Sequence, residues 1–161
     1  MEKPTELEAY NILEQLEIPF ERVDHEPITS VKSYDAELPG PQVKNLLLKS
    51  KKDKRFFFVI LPEDKSVNLK ELAEELEVKR LSFASAAELE ELIGLKPGTV
   101  TPIALNHDVE CKIQVVIDNC IDQNDTIGLH PNVNTTTIIM SFVDFTRLLT
   151  WSEHPAIYKN M

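Results

Sequence analysis

The chain has 161 residues, and its contents of 42% hydrophobic and 27% charged residues are those of one globular domain, expected over residues 1–161. Its net charge of −10 argues against a broad surface that binds phosphates. The longest apolar run, residues 56–61, is too short to cross a membrane, and the N-terminus lacks the apolar stretch of a secretory signal. We therefore expect a cytoplasmic protein.

The chain is expected to begin with a helix, a short strand and an irregular segment. The helix is predicted over residues 6–16, with Thr5 as its N-cap and Glu8 completing a capping box. Residues 20–24 have the pattern of a short strand. Residues 25–42 are predicted to be irregular, because prolines and a glycine interrupt them.

A β-hairpin is predicted next, because two apolar runs, residues 43–48 and 56–61, surround a polar turn. This basic turn, residues 49–55, contains five basic residues and one acidic residue. It is open to two interpretations. Charge runs at turns are commonly just solvated, but this one could also be a small basic finger that contacts a nucleic-acid backbone.

The remainder of the chain is predicted to contain three helices and four strands. The helices run from their N-caps to their last residues as Asn68 to Leu76, Ser85 to Gly94 and Ser141 to Leu149. The strands are residues 80–83, 103–105, 112–118 and 137–140. Because some strands adjoin through hairpins, the order is not a regular βαβ repeat. We expect a mixed α/β fold with a curled, barrel-like mixed sheet and helices packed outside.

A loop rich in glycine and proline, residues 94–102, interrupts this pattern. It contains two of the four glycines, Gly94 and Gly98, and two prolines, so its backbone is expected to have a defined shape. Its N–H groups, for example those of Gly98, Thr99 and Thr101, could face an anion or a carbonyl oxygen. The simpler alternative is a helix C-cap followed by a tight turn.

Lys44 is a candidate for chemistry because it opens an apolar run that otherwise has the pattern of a buried strand. A lysine at the mouth of such a strand holds a point charge that can pair with a phosphate or stabilise an oxyanion. The alternative is a surface lysine on an edge strand whose ammonium reaches water.

Residues 130–137 form a third candidate, because hydrogen-bonding side chains are dense there just before a strand. His130 and Asn134 could order a ribose hydroxyl or a water molecule. The alternative is an ordinary turn, in which asparagine and threonine are common.

Metal and cofactor sites are not indicated. The four histidines, at positions 25, 107, 130 and 154, are far apart, and no HExxH, paired-cysteine, P-loop or GxGxxG spacing occurs. Cys111 and Cys120 are expected to be thiols in a reducing compartment. We expect no metal and no cofactor.

Several short segments, taken together in this order, resemble a known family. They are residues 16–20, His25-Glu26-Pro27, Pro39-Gly40, Lys44-Asn45-Leu46, Leu81-Ser82-Phe83-Ala84, Gly98-Thr99-Val100-Thr101-Pro102 and residues 130–135. The chain resembles the YbaK/ProX-type aminoacyl-tRNA editing domain from about residue 6 to about residue 155. Within that family it is similar to the freestanding prolyl-tRNA editing proteins that act on alanyl-tRNA(Pro).

The resemblance implies a compact α/β domain that hydrolyses the ester of a wrongly charged tRNA, usually without a metal. The family's essential lysine falls on Lys44, its GxxxP loop on residues 98–102 and its HPxxNT histidine on His130. The amino-acid pocket would include Ile28 and Val31, although Ser30 stands where threonine is more usual. The implied partners are the acceptor end of a mischarged tRNA and prolyl-tRNA synthetase.

Two alternatives remain open. The substrate could be another mischarged tRNA, such as cysteinyl-tRNA(Pro). The chain could instead be a noncatalytic module that binds an amino acid or a partner protein, which suits its acidic charge slightly better but leaves the candidate lysine without a purpose.

Overall fold

The computed structural model describes residues 3–26 and 42–161, which form four α-helices and eight strands within those ranges. The helices are α1 (Glu6–Gln15), α2 (Leu69–Glu75), α3 (Ala86–Ile93) and α4 (Phe142–Trp151). The strands are β1 (Glu21–Asp24), β2 (Val43–Ser50), β3 (Arg55–Pro62), β4 (Ser82–Phe83), β5 (Ile113–Asp118), β6 (Thr126–Leu129), β7 (Thr136–Ser141) and β8 (Ile157–Lys159). None of the helices in these ranges is long and apolar enough to span a membrane.

The described strands form two sheets. The larger has the order β4-β2-β3-β5-β8, in which β2 is antiparallel to β3 and β4, while β5 is parallel to β3 and β8. The smaller has the order β1-β7-β6 and is antiparallel. The mixed α/β class is confirmed. Neither sheet closes into a barrel within residues 3–26 and 42–161, so barrel-like curling stays a prediction.

Both faces of the larger sheet are buried, as the strong apolar run of β3 requires. Phe58 and Ile60 face one core together with side chains of α1, α3 and α4, whereas Phe57 and Val59 face a second core beneath α2. On β5, the alternate residues Ile113, Val115 and Ile117 share one face, and all three lie in the first core. Each such side chain contributes about 1.5–3 kcal/mol when fully buried.

Polar N-caps start the helices where the sequence predicts them. The side chains of Thr5, Asn68, Ser85 and Ser141 each accept a hydrogen bond from a backbone N–H in the first turn. The capping box of Ser85 and Glu88 is complete. Glu8 does not complete the predicted box, because its Oε1 instead accepts a hydrogen bond from His107 Nε2 at 2.6 Å, which ties α1 to the segment before β5.

The predicted strand over residues 103–105 is wrong, because residues 102–107 form a 3₁₀ helix. Pro102 lies in the first turn, where its fixed φ suits a helix, and the Thr101 hydroxyl accepts a hydrogen bond from the N–H of Ile103. These local signals outweigh the apolar character of the segment. Strands β6 and β8 were not predicted, because β6 contains Gly128 and β8 has only three residues.

A buried pair closes the C-terminal side of the fold. His154 Nε2 lies 2.9 Å from Asp108 Oδ2, and both side chains are almost fully buried. Burial alone would raise the pKa of Asp108, but hydrogen bonds from His154 and from the N–H groups of Ile113 and Lys112 outweigh burial and hold its pKa below 3.8. The pair therefore joins the end of the 3₁₀ helix, the start of β5 and the turn after α4.

Candidate functional site

The loop between α3 and the 3₁₀ helix of residues 102–107 is shaped at both ends. Helix α3 ends at Gly94, which has a left-handed conformation with φ of 71°. A Cβ atom at Gly94 would lie 2.7 Å from Pro4 Cδ, so glycine also fits the close approach of the N-terminal segment. The predicted C-cap at Gly94 is thus confirmed.

The N–H groups of this loop are not all available. A short 3₁₀ turn, Pro97–Thr99, uses the N–H of Thr99 as a donor to the Lys96 carbonyl oxygen at 2.9 Å. The expectation that the Thr99 N–H faces a ligand is therefore wrong for this conformation. Within the described part of the chain, the N–H groups of Gly98 and Thr101 find no acceptor, and the donor role expected of them stays a prediction.

Three distant segments converge on this loop. Thr101 is fully buried, and its hydroxyl donates to the carbonyl oxygen of His130 at 2.6 Å. Asn45 Nδ2 donates to the carbonyl oxygen of Val100 at 3.2 Å. Gly98 lies beside Asn134, whose Nδ2 would be 3.9 Å from a Cβ atom on the glycine. The structure thus brings together the predicted site residues of the loop with Asn45, His130 and Asn134, and Pro102 at the end of the loop is buried.

The His130 ring is held in one tautomer. Its Nδ1 lies 3.1 Å from the carbonyl oxygen of Thr136, which can only accept, so Nδ1 carries a proton. Burial lowers the pKa of His130 below 6.5, the nearby His25 ring lowers it further, and the hydrogen bond to Thr136 opposes both effects only in part. At neutral pH, His130 is therefore a neutral imidazole whose Nε2 can accept a hydrogen bond.

His25 is a site residue to which the sequence reasoning gave no role. Its ring lies 6.1 Å from the His130 ring at an interplanar angle of 65°. Its Nδ1 is 2.8 Å from the Glu26 carbonyl oxygen, and its Nε2 is 2.8 Å from Thr137 Oγ1. The signal in the sequence is the motif His25-Glu26-Pro27, which contributes to the family resemblance but does not by itself indicate a role for the histidine.

Hydrogen bonds also fix the segment that precedes β7. The Thr136 hydroxyl donates to Asp24 Oδ1 at 2.8 Å, and Asn132 Nδ2 donates to the Thr5 carbonyl oxygen at 2.9 Å. Asn132 has a φ of 64°, a left-handed conformation that asparagine tolerates better than most residues. The polar residues predicted as a ligand-binding segment therefore also hold β1, β7 and the start of α1 together.

Lys44 is next to Asn45 in β2, but its side chain makes none of these hydrogen bonds. It is half-buried near the start of β2, opposite Leu61. Because side chains alternate along a strand, Lys44 shares a face with Leu46 and not with Asn45. No side-chain hydrogen bond or ion pair connects Lys44 to the Gly98 loop, to His130 or to any other residue in the described ranges. Its catalytic role stays a prediction.

The predicted amino-acid pocket falls largely beyond the described residues. Ile28, Val31 and the rest of residues 27–41 lie outside them, so the pocket assignment also stays a prediction. Among residues 3–26 and 42–161, no three histidine, cysteine, aspartate or glutamate side chains converge as a metal site would require. Cys111 and Cys120 are exposed thiols.

The basic turn is confirmed as the turn of the β2–β3 hairpin. The side chains of residues 51–55 are exposed, while the Ser50 hydroxyl donates to Asp53 Oδ2 at 2.8 Å and shapes the turn from within. Lys49 is not available in the same way, because its Nζ pairs with Glu88 Oε1 at 2.7 Å. A nucleic-acid contact by this turn stays a prediction.

Comparison with known proteins gives consistent results. Residues 25–148 match the model of the aminoacyl-tRNA editing domain. The prolyl-tRNA editing protein ProX of Acetoanaerobium sticklandii is 28% identical over 140 residues, which cover 85% of each chain. Prolyl-tRNA synthetase associated domain-containing protein 1 of Danio rerio is 31% identical over 157 residues, covering 94% of this chain and 84% of the relative.

A solved structure shares the fold. It is that of a proposed trans-editing enzyme for prolyl tRNA synthetase, with a TM-score of 0.68 and 15% identity over 99% of this chain and 98% of the other. At this identity the likeness concerns the fold alone.

Proposed function

The chain belongs to the aminoacyl-tRNA editing domain family, and we propose that it is a trans-editing deacylase that hydrolyses mischarged tRNA(Pro), with alanyl-tRNA(Pro) as its substrate. The observation that supports this most is the convergence of the Gly98–Thr101 loop, Asn45 and His130 within a domain of this family. The whole chain acts as one editing domain in the cytoplasm.

A need for such an enzyme follows from the energetics of amino-acid selection. A site that activates proline cannot strongly reject a smaller amino acid, because each missing methylene weakens binding by only about 1–3 kcal/mol. A second, smaller pocket can admit alanine and exclude the proline ring. Ile28 and Val31 are our candidates for that pocket.

The loop and His130 supply the polar part of the site. The N–H groups of Gly98 and Thr101 bind the terminal adenosine or the ester carbonyl, and the Asn45 side chain holds the loop at Val100. The neutral His130 and Asn134 order a ribose hydroxyl or a water molecule. His25 is placed to keep His130 uncharged, since two neighbouring imidazolium rings repel each other.

Lys44 stabilises the negative charge that develops on the carbonyl oxygen. An aminoacyl ester is already activated, so a positioned water and oxyanion stabilisation suffice for hydrolysis. Water, or the neighbouring ribose hydroxyl, completes proton transfer. This mechanism uses neither a metal nor a covalent enzyme nucleophile.

The protein meets the acceptor end of its tRNA through a local basic surface. The exposed lysines of the basic turn face the phosphates, and the acidic remainder of the surface faces away from the acceptor stem. Prolyl-tRNA synthetase is the proposed protein partner, as the name of the Danio rerio relative suggests.

The substrate is tested by measuring the wild-type rate on alanyl-, cysteinyl- and prolyl-tRNA(Pro) at equal concentrations. We expect rapid hydrolysis of the alanyl ester and a rate close to the uncatalysed one for the prolyl ester. Preferential hydrolysis of the cysteinyl ester would show that the protein is a deacylase whose substrate is cysteinyl-tRNA(Pro). Tight binding of an alanine analogue without turnover of any ester would instead support the noncatalytic module.

A further inference from the structure

We propose that Phe83 is the stacking platform for the terminal adenine of the tRNA acceptor end, an inference that rests on the proposed function. Phe83 belongs to the two-residue strand β4 and lies opposite Leu48 of β2. Phe83 is 56% exposed, whereas Phe57, Phe58, Phe142 and Phe145 are almost fully buried. A single exposed apolar residue is common, so the significance of Phe83 depends on the residues beside it.

A groove connects Phe83 to the candidate site. It has a volume of about 180 Å³, and its walls include Phe83, Leu46, Asn45, Pro97 and Val100. The hydrogen bond between Asn45 and Val100 therefore belongs to the wall of this groove as well as to the site. Drug-sized ligands usually occupy about 300–1,000 Å³, so this volume suits a single base better than a whole nucleotide.

The edge of the sheet leaves the groove open. Strand β4 pairs only with Leu48 and Lys49, so within the described residues the first half of β2 has β3 on one side and no strand on the other. The register thus places Phe83 of β4 at the end of this open edge, which runs along β2 past Asn45 to Lys44. The terminal nucleotide can therefore place its base on the Phe83 ring and its ester beside β2.

The charge distribution around the groove matches a nucleotide end. None of the described residues that line the groove is acidic or basic. The exposed lysines of the basic turn lie beyond Lys49, at the other end of β2. A neutral base therefore fits the groove, and the neighbouring phosphates of the tRNA can extend toward the basic turn.

An aromatic side chain suits this position, because the acceptor end of a tRNA carries unpaired bases. Unpaired bases stack on aromatic rings, and loss of one such contact weakens binding by about 1–3 kcal/mol. A leucine at position 83 would keep an apolar side chain but would lack the flat ring on which a base stacks. Comparison of Phe83→Leu with Phe83→Tyr therefore separates stacking from apolar packing.

The test combines kinetics with a fluorescent acceptor end. Wild type, Phe83→Leu and Phe83→Tyr are compared for alanyl-tRNA(Pro) hydrolysis, with Phe20→Leu as a matched change at another partly exposed phenylalanine. We expect Phe83→Leu to raise KM about 10-fold with a small change in kcat, and the other two variants to resemble wild type. A minihelix carrying 2-aminopurine in place of the terminal adenine should be quenched by wild type and Phe83→Tyr and much less by Phe83→Leu.

The outcomes separate this inference from the proposed function. Unchanged KM and unchanged quenching in Phe83→Leu, with wild-type activity present, would overturn the stacking role alone. An inactive wild type would overturn the proposed function, whatever the fluorescence shows. Sedimentation tests another occupant: a wild-type dimer that Phe83→Leu converts to monomers, without a change in quenching, would assign Phe83 to contact with a second copy and overturn the inference.

Discussion

His130 shows how the environment of one residue prepares it for its proposed role. Its Nδ1 is committed to the Thr136 carbonyl oxygen, and its own carbonyl oxygen accepts from Thr101. Burial and the His25 ring both favour the neutral form of its side chain. Hydrogen bonds thus hold both the backbone and the ring of His130. Its ring Nε2 remains as the atom that can accept a hydrogen bond from a substrate.

This environment gives a prediction about pH. Because the pKa of His130 is lowered in the folded protein, the unfolded chain binds a proton at this residue more readily near pH 6. The contribution of His130 to the free energy of unfolding is therefore fully present above pH 6.5 and is lost as the pH falls through its lowered pKa. An NMR titration of the imidazole should give a value below 6.5, and a higher one in His25→Asn. A wild-type value at or above 6.5 would contradict this account.

Gly94 and Gly98, the two glycines of the loop, differ in what a side chain would disturb. Gly94 has a positive φ and lies against Pro4, so any side chain there strains the C-cap of α3. Gly98 does not have a positive φ, and a Cβ atom at that position would make only an ordinary contact with Asn134. Fold stability therefore does not explain the absence of a side chain at Gly98, and the proposed function explains it by close approach of a substrate.

Alanine at each glycine tests this distinction. We expect Gly94→Ala to lower the free energy of unfolding by about 1–2 kcal/mol, because a non-glycine residue is disfavoured in the left-handed region. Gly98→Ala should change it by less than about 0.5 kcal/mol and should lower kcat/KM about 10-fold or more, because a small displacement of the substrate is costly. Urea unfolding and alanyl-tRNA(Pro) hydrolysis give the two values. Full activity of Gly98→Ala would refute the close approach.

Local chemistry explains which elements could be predicted from the sequence. Helices with strong N-caps and the hairpin with its polar turn were correct, because hydrogen bonds to nearby residues decide them. The strand expected at residues 103–105 was wrong, because Thr101 and Pro102 start a 3₁₀ helix there. Strand β8 could not be foreseen, since its pairing with β5 depends on residues about forty positions away.

The candidate site was predictable only in its parts. The loop, Asn45, His130 and Asn134 could each be named from the sequence, but each also had a purely structural interpretation. Their convergence depends on hydrogen bonds across 55 and 29 positions, which no local pattern encodes. For the same reason, His25 could be noted as part of a motif but not placed beside His130.

The whole molecule combines an acidic surface with one basic turn. Its net charge is −10, yet Lys51, Lys52 and Lys54 are exposed together at the tip of the hairpin. This arrangement favours modest tRNA affinity that depends on one patch and falls with salt. The acidic remainder limits other orientations of the tRNA.

Neutralising the turn tests its role. The triple variant Lys51→Gln, Lys52→Gln and Lys54→Gln should weaken tRNA binding and reduce the slope of log affinity against log salt by about 2, while kcat stays near the wild-type value. A control with the same charge change carries glutamine at Lys3, Lys70 and Lys112, which are exposed elsewhere. Equal salt slopes for the turn variant and wild type would exclude the turn from tRNA binding.

In the proposed mechanism, hydrolysis of the ester depends most on Lys44. The most direct measurement is the hydrolysis of alanyl-tRNA(Pro) by wild type and Lys44→Ala, with Lys70→Ala as a matched control on the exposed face of α2. We predict that wild type and the control hydrolyse the ester equally, and that Lys44→Ala folds but is about 100-fold slower or worse. A folded Lys44→Ala protein with the full wild-type rate would contradict the proposed mechanism.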